Sequence, residues 1–267
     1  MISMLQKFIL DPYPLRTIAK RIIQRFELGS YEQRVKIGAV DRPHYGYIVY
    51  HAAVLAKKLG YKRISVLEFG VANGHGLVSL ERHAQQVSKA SGIEIDIYGF
   101  DTGEGLPEPV DYRDLPYHWQ KGFFKMDVPR LQARLKQARL ILGNIKETAP
   151  SFFKTHNPAP IGAIIHDFDF HSSTVTAINM LDAGEAYYLP RVFCYFDDTI
   201  GTEVELYNDY TGERLAIHEF NQAHDYIKLS TPYHLLSRKV VDPWFHQIWI
   251  GHFFNHSRYN DFVSEVA

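Results

Sequence analysis

One cysteine among 267 residues excludes an intramolecular disulfide, and Cys194 lies in the apolar run Val192 to Phe196, where it reads as a small packed hydrophobe. A reducing, cytoplasmic setting is the matching expectation. Charge of one sign is also missing: 29 basic side chains stand against 30 acidic ones, a formal net charge of -1. Such a chain has no broad field to attract nucleic acid or an anionic membrane, so no polynucleotide partner is expected. No apolar run reaches the roughly 18 residues of a membrane span, so no integral membrane segment is expected. The N-terminal stretch is broken by Pro12 and Pro14 and has no small-residue cleavage site, so it reads as docking helices. Its basic helix, Arg16 to Arg25, reads as a solvated face, with membrane-surface contact as the minor alternative. Internal repeats and low-complexity tracts are absent too.

What is present suits an ordinary globular protein: 46% of residues are apolar and 22% charged, with no shift in composition that marks a second core. The chain therefore reads as a single domain over 1–267, a helical extension at 1–43 preceding a core at 44–267. Short β-branched or aromatic runs alternate with amphipathic stretches of helical length, the pattern of repeated βαβ units. Strands are expected at Ile64 to Phe69, Ile95 to Phe100, Arg139 to Leu142, Ile161 to His166 and Arg191 to Phe196. Helices are expected at Tyr45 to Leu59, Leu77 to Ala90, Val128 to Ala138, Ile145 to Thr155, Ser173 to Ala183 and Gly212 to Ala223. Phe245 to Phe254 supplies closing strand. The connection from Thr102 to Phe124 is too long for a plain turn and reads as a lid or substrate loop.

Two features point to a nucleoside. The first strand runs into Glu68-Phe-Gly70-Val71-Ala-Asn73-Gly74-His-Gly76, with glycines where backbone turns sharply and a ligand approaches at a helix start. The second strand ends in Phe100-Asp101, a carboxylate placed to accept both ribose hydroxyls. Either NAD or S-adenosylmethionine satisfies that geometry. The spacing Gly70, Gly74, Gly76 departs from G-x-G-x-x-G, and Glu68 suits a cationic amino group while repelling a pyrophosphate, so the methyl donor is preferred.

Two further strands end in acid, at Asp167-Phe-Asp169-Phe-His171-Ser-Ser-Thr174 and at Asp197-Asp198-Thr199. In a doubly wound sheet these tips share the C-terminal edge with the glycine loop. Asp167, Asp197 and Asp198 then raise one another's pKa, and no basic residue adjoins either tip in sequence, so a divalent cation such as Mg²⁺ is the expected remedy. Structural capping is the alternative for all three, and the preferred reading for Asp169. His166 reads as a core histidine, and His171 as either a catalytic group or a packing residue. Tyr112, Tyr117, His118 and Trp119 on the long loop either stack on a ring or anchor the loop itself.

With these residues in view, the chain resembles the macrocin O-methyltransferase (TylF-like) group of class I S-adenosylmethionine-dependent methyltransferases. Phe100-Asp-Thr-Gly-Glu-Gly-Leu-Pro107, Leu142-Gly-Asn-Ile-Lys-Glu-Thr-Ala-Pro150, Asp167 to Thr174 and the pair Asp197-Asp198 carry the resemblance, in order, between about Val66 and Phe220. It implies a Rossmann-like α/β fold, doubly wound, with seven mostly parallel strands, the last antiparallel, and N-terminal helices. It implies O-methylation of a sugar or another polyoxygenated small molecule. Donor contacts are expected from Glu68, Gly70, Val71, Asn73, Gly74, Asp101, Thr102, Asn144 and Asp167. Metal ligation is expected from Asp167, Asp197 and Asp198, and proton transfer from Asp167 or His171. Self-association into a homo-oligomer is left open. The rival readings are a noncatalytic S-adenosylmethionine- or nucleotide-binding module and a nicotinamide-dependent oxidoreductase.

Overall fold

A computed structural model describes residues 14–264. Three helices open it, α1 (Pro14–Arg25), α2 (Tyr31–Lys36) and α3 (Pro43–Lys58). Strands and helices then alternate: β1 (Arg63–Phe69), α4 (His75–Ser91), β2 (Glu94–Asp101), α5 (Val128–Gln132), β3 (Arg139–Leu142), α6 (Ile145–His156), β4 (Ile161–His166), α7 (His171–Ile178) and β5 (Tyr188–Phe196). The chain closes through α8 (Gly212–Ala223), β6 (Ile227–Ser230), α9 (Tyr233–Leu236) and β7 (Ile248–Phe253). One seven-stranded sheet has the order β3-β2-β1-β4-β5-β7-β6. Strands β1 to β5 pair in parallel, while β7 runs antiparallel to both β5 and β6.

Helices cover both faces of this sheet, which is why its central strands read as continuous apolar runs rather than alternating ones. All six residues of β4 are buried, as are six of the seven in β1. Successive side chains go to opposite sides. Val66 and Ile165 pack with Tyr45, Ile48 and Leu77 of α3 and α4. Leu67 and Ile164 pack with Phe152, Ile178, Ile217 and Cys194 on the other side. Cys194 is fully buried there, opposite Ile164 on β4 and Trp249 on β7.

The helix expected at Ser173 to Ala183 instead runs from His171 to Ile178 and tightens to a 3-10 turn over Asn179–Ala183, and the closing strand starts only at Ile248. Two further differences have identifiable reasons. Helix α5 stops at Gln132 instead of continuing to Ala138. The buried Glu81 carboxylate accepts three consecutive backbone N–H groups, from Lys136, Gln137 and Ala138, at 2.7–2.8 Å, and so fixes that stretch as a turn into β3. Strand β5 begins three residues before Arg191, at Tyr188. Pro190 is tolerated inside it because the pairing with β4 shifts register there, leaving no ladder bond for the missing N–H to make.

Candidate active site

The turn after β1 is held by backbone geometry that few residues can supply. Gly70 has φ +82°, and a Cβ on it would run into the Asp167 carbonyl oxygen at the end of β4. Its N–H donates to Phe100 O at 2.9 Å, while Asp167 N donates to Phe69 O at 2.9 Å, so β2, β1 and β4 are laced together at one edge. Asp101 ties the loop down. Its Oδ2 accepts from Val71 N at 2.8 Å and Ala72 N at 2.9 Å, and its Oδ1 accepts from Gly103 N at 2.7 Å. Beneath the turn, Glu68 is 1% exposed and its Oε1 accepts the Tyr45 hydroxyl at 3.1 Å, while Oε2 has no protein partner. Burial pushes its pKa up to about 8. A Cβ at Gly76 would meet both Glu68 and Tyr45, so the loop leans directly on this pair.

Five carboxyl groups gather at the tips of β4 and β5. Asp198 is 5% exposed; its Oδ2 accepts from Asp169 N at 2.8 Å and its Oδ1 from the Tyr207 hydroxyl at 2.7 Å. Asp197 accepts the Tyr195 hydroxyl, and Gln247 donates to the Asp197 carbonyl at 2.6 Å. Glu213, 0% exposed, takes the Asp198 N–H on Oε2 at 2.9 Å and leaves Oε1 without a partner. Desolvation first, and then repulsion from Asp197 and Asp198, holds Asp167 well above the usual carboxylate range. Desolvation and repulsion from its neighbours raise Asp169 and Glu213 in the same way, and Asp198 is pushed up to about 7.

Asp167, Asp169, Asp197 and Asp198 form the floor of a cavity of about 370 Å³ at the C-terminal edge of the sheet, with Glu213 behind them, the position that ligands take in doubly wound folds. One end is walled by Gly70, Ala72, Phe100, Asp101, Thr102 and Asn144. The other is walled by Asp167, Asp197, Asp198, Glu205 and Tyr207, with Trp119 and Phe124 from the long connection above. That connection folds onto itself through Leu106 N to Phe123 O at 2.9 Å and Gly122 N to Leu106 O at 2.8 Å. The buried Asp114 pins it to the start of α7, accepting from Ser172 N at 2.8 Å, Ser172 Oγ at 2.9 Å and Val110 N at 2.9 Å.

Gly70, Asp101, Thr102, Asn144, Asp167, Asp197 and Asp198 are thus brought to one cavity. Glu68, Val71, Asn73 and Gly74 lie in or under the turn and are not among the lining residues; Asn73 borders a separate cleft with His75, Arg130 and Arg134. His171 does not line the cavity either: its Nε2 is 2.7 Å from Glu219, and the ring is 5% exposed. His166 stacks on Phe196 at 4.2 Å inside the core. Asp169 does not cap α7 as expected; with φ +59° it turns toward Asp198 and the cavity, and Asp114 serves the helix start instead. Of the four loop aromatics only Trp119 reaches the wall, whereas Tyr112 and Tyr117 are 69% and 61% exposed.

Glu213, Tyr207 and Arg42 were not legible as members. Burial works against the Arg42 charge, yet the negative groups around it, Glu68 and Asp167 among them, raise its pKa above the ordinary value. A basic residue therefore does face the strand tips, delivered from the helical extension rather than from either tip. Only Tyr195 had a local signal, lying two residues from Asp197 on the same side of the strand.

The sheet order and this cavity define the fold of the Rossmann-like methyltransferases. Among solved structures the chain is similar to the O-methyltransferase NovP, at 13% identity over 79% of each chain with a TM-score of 0.54. It is equally similar in fold to CalS11, a calicheamicin methyltransferase, at 17% identity over 91% of this chain and 93% of that one, TM-score 0.54. No family model matches the chain, and no curated protein matches it by sequence.

Proposed function

We propose that the protein is an S-adenosylmethionine-dependent O-methyltransferase acting on a hydroxyl of a sugar or other polyoxygenated small molecule, within or near the macrocin O-methyltransferase group. The observation that carries this reading is the single cavity joining the glycine turn, Asp101 and Asn144 at one end to Asp167 and an aromatic wall at the other. Adenosine fits the first end, a ribose hydroxyl toward Asp101 Oδ1, which still has a free lone pair. The sulfonium then points along the floor to Asp167. The similar structures support the reading: CalS11 is a methyltransferase and NovP an O-methyltransferase. Glu68, Val71, Asn73 and Gly74 serve the donor by shaping and supporting the turn.

In-line displacement breaks the sulfur–methyl bond and forms an oxygen–methyl bond, while the hydroxyl proton passes to a base. Asp167 is that base: it lines the cavity, where the positive charge of a bound sulfonium favours its carboxylate form over the protonated one that burial and its acidic neighbours favour in the empty site. Most of the acceleration comes from alignment of the two reactants in a confined site. His171, committed to Glu219, is assigned a packing role.

The oxygens of Asp167, Asp197 and Asp198 have the hardness Mg²⁺ or another divalent cation prefers. Their placement does not fit one as it stands. Both Asp198 oxygens already accept hydrogen bonds, and among the described residues no group of three or more His, Cys, Asp or Glu side chains is set to hold a metal. No step is therefore routed through a metal.

Calorimetry with S-adenosylmethionine, with and without Mg²⁺, and label transfer from the methyl donor to a panel of saccharides and polyols test the reading. Asp167→Asn should keep donor binding and lose turnover by roughly 10²-fold or more. Retention of NAD in place of the methyl donor would sink the proposal, and donor binding without any S-adenosylhomocysteine release would leave a noncatalytic binding module.

A further inference from the structure

Helix α1 meets the body of the protein through its charged side. Arg16 places two parallel bonds of 2.9 Å on the Asp242 carboxylate, and Lys20 adds a third at 2.9 Å. At 3.6 residues per turn, Leu15, Ile18 and Ile22 fall together on a different side. Phe26 extends the row, because its N–H still bonds to Ile22 O at 3.0 Å. These four side chains are 80, 52, 48 and 69% exposed, and Leu28 continues the patch at 53%. Among the described residues, nothing covers the stripe that an ordinary surface helix buries.

Charge decides what fits it. Arg21 and Arg25 are exposed beside the stripe, and α1 carries four cations and no acid. Next to the helix, a cleft of about 320 Å³ is walled by Arg16, Lys20, Lys36 and Arg238, with Trp244 at its side and Asp242 its one acidic residue. We propose that this face docks on an anionic lipid bilayer, with α1 lying in the plane of the surface. The apolar row enters at headgroup depth, and the exposed Arg21 and Arg25 face lipid phosphates. A second copy of the chain suits the face poorly, since two such helices would oppose cations to cations with no carboxylate of their own between them. With a formal net charge of -1 for the whole chain, the attraction is local to this face.

Cosedimentation of the full chain with vesicles tests the assignment. It should pellet with phosphatidylcholine vesicles containing roughly a third phosphatidylglycerol, stay in solution with phosphatidylcholine alone, and be released by high salt. Ile18→Ser with Ile22→Ser, and separately Arg21→Gln with Arg25→Gln, should each weaken partitioning by about tenfold or more. All four positions are exposed, so both variants should keep the wild-type thermal midpoint. Failure to pellet with anionic vesicles, or pelleting unaffected by both variants, overturns the proposal. A lipid-free dimer that Ile18→Ser with Ile22→Ser splits also overturns it, and gives the face to a second copy.

Discussion

Single atoms set tight limits at the glycine turn. An alanine at position 70 would have to hold φ +82° and displace the Asp167 carbonyl, and both demands fall on the edge where β1 meets β4. Gly70→Ala should lower unfolding free energy by roughly 2 kcal/mol or more and abolish donor binding. Urea denaturation and calorimetry read the two effects, and a variant with normal values of both would contradict the close approach. Glu68 offers a test in pH. Its folded pKa is raised by burial from 4.5 to about 8, so over that window the folded protein keeps a proton that the unfolded chain has released. Stability from this group is complete below pH 4.5 and drains away as pH rises toward 8. Glu68→Gln should flatten the decline by on the order of a few kcal/mol, measured as thermal midpoint against pH; parallel slopes for the two proteins would refute it. Asp101 and Asp167 were visible in the sequence because strand tips in this fold deliver side chains to one edge. Glu213 and Arg42 were not, because each arrives from an element distant in sequence, and no local pattern distinguishes a buried acid or base from a solvated one.

At the scale of elements, the long connection between β2 and α5 behaves as a strap anchored at the buried Asp114. Asp114 is 1% exposed and satisfies two backbone donors and a hydroxyl, from its own loop and from α7. Removing a buried acceptor of this kind costs roughly 1–3 kcal/mol for the groups left behind. Asp114→Ala should therefore loosen residues 108–125, raising their rate of limited proteolysis and weakening acceptor binding more than donor binding. Unchanged cleavage would show that the strap is held elsewhere. The strap was foreseeable from its length alone, yet its anchor was not: the sequence suggests a local cap for α7 at Asp169, and the structure recruits one from 58 residues upstream of Ser172. The shortened α5 has the same origin, since Glu81 reaches across from α4 to claim N–H groups that a longer helix would have used.

For the whole molecule, the succession of strands was readable because a sheet covered on both faces needs uninterrupted apolar runs, and β3, β4 and α8 have the bounds their sequence suggests. The shared edge of β1, β4 and β5 followed from the doubly wound pattern itself. Electrostatics was far less readable: a balanced total charge conceals five crowded carboxyl groups at one edge and a cationic, apolar face on α1. Position along the chain says little about such segregation, which exists only once the elements are packed.

The lone sulfhydryl gives the molecule a stopwatch. Cys194 sits at the sheet's interior with no exposure, and burial pushes its thiol up to about 12. A labelling reagent reaches it only when β5 parts from β4 and β7, so in native buffer modification is gated by opening of the central sheet, and equals the opening rate when the reagent outpaces reclosing. A bound nucleoside that bridges the edges of β1, β2 and β4 should slow that clock, and mass spectrometry of timed aliquots would report ligand affinity without any knowledge of the acceptor.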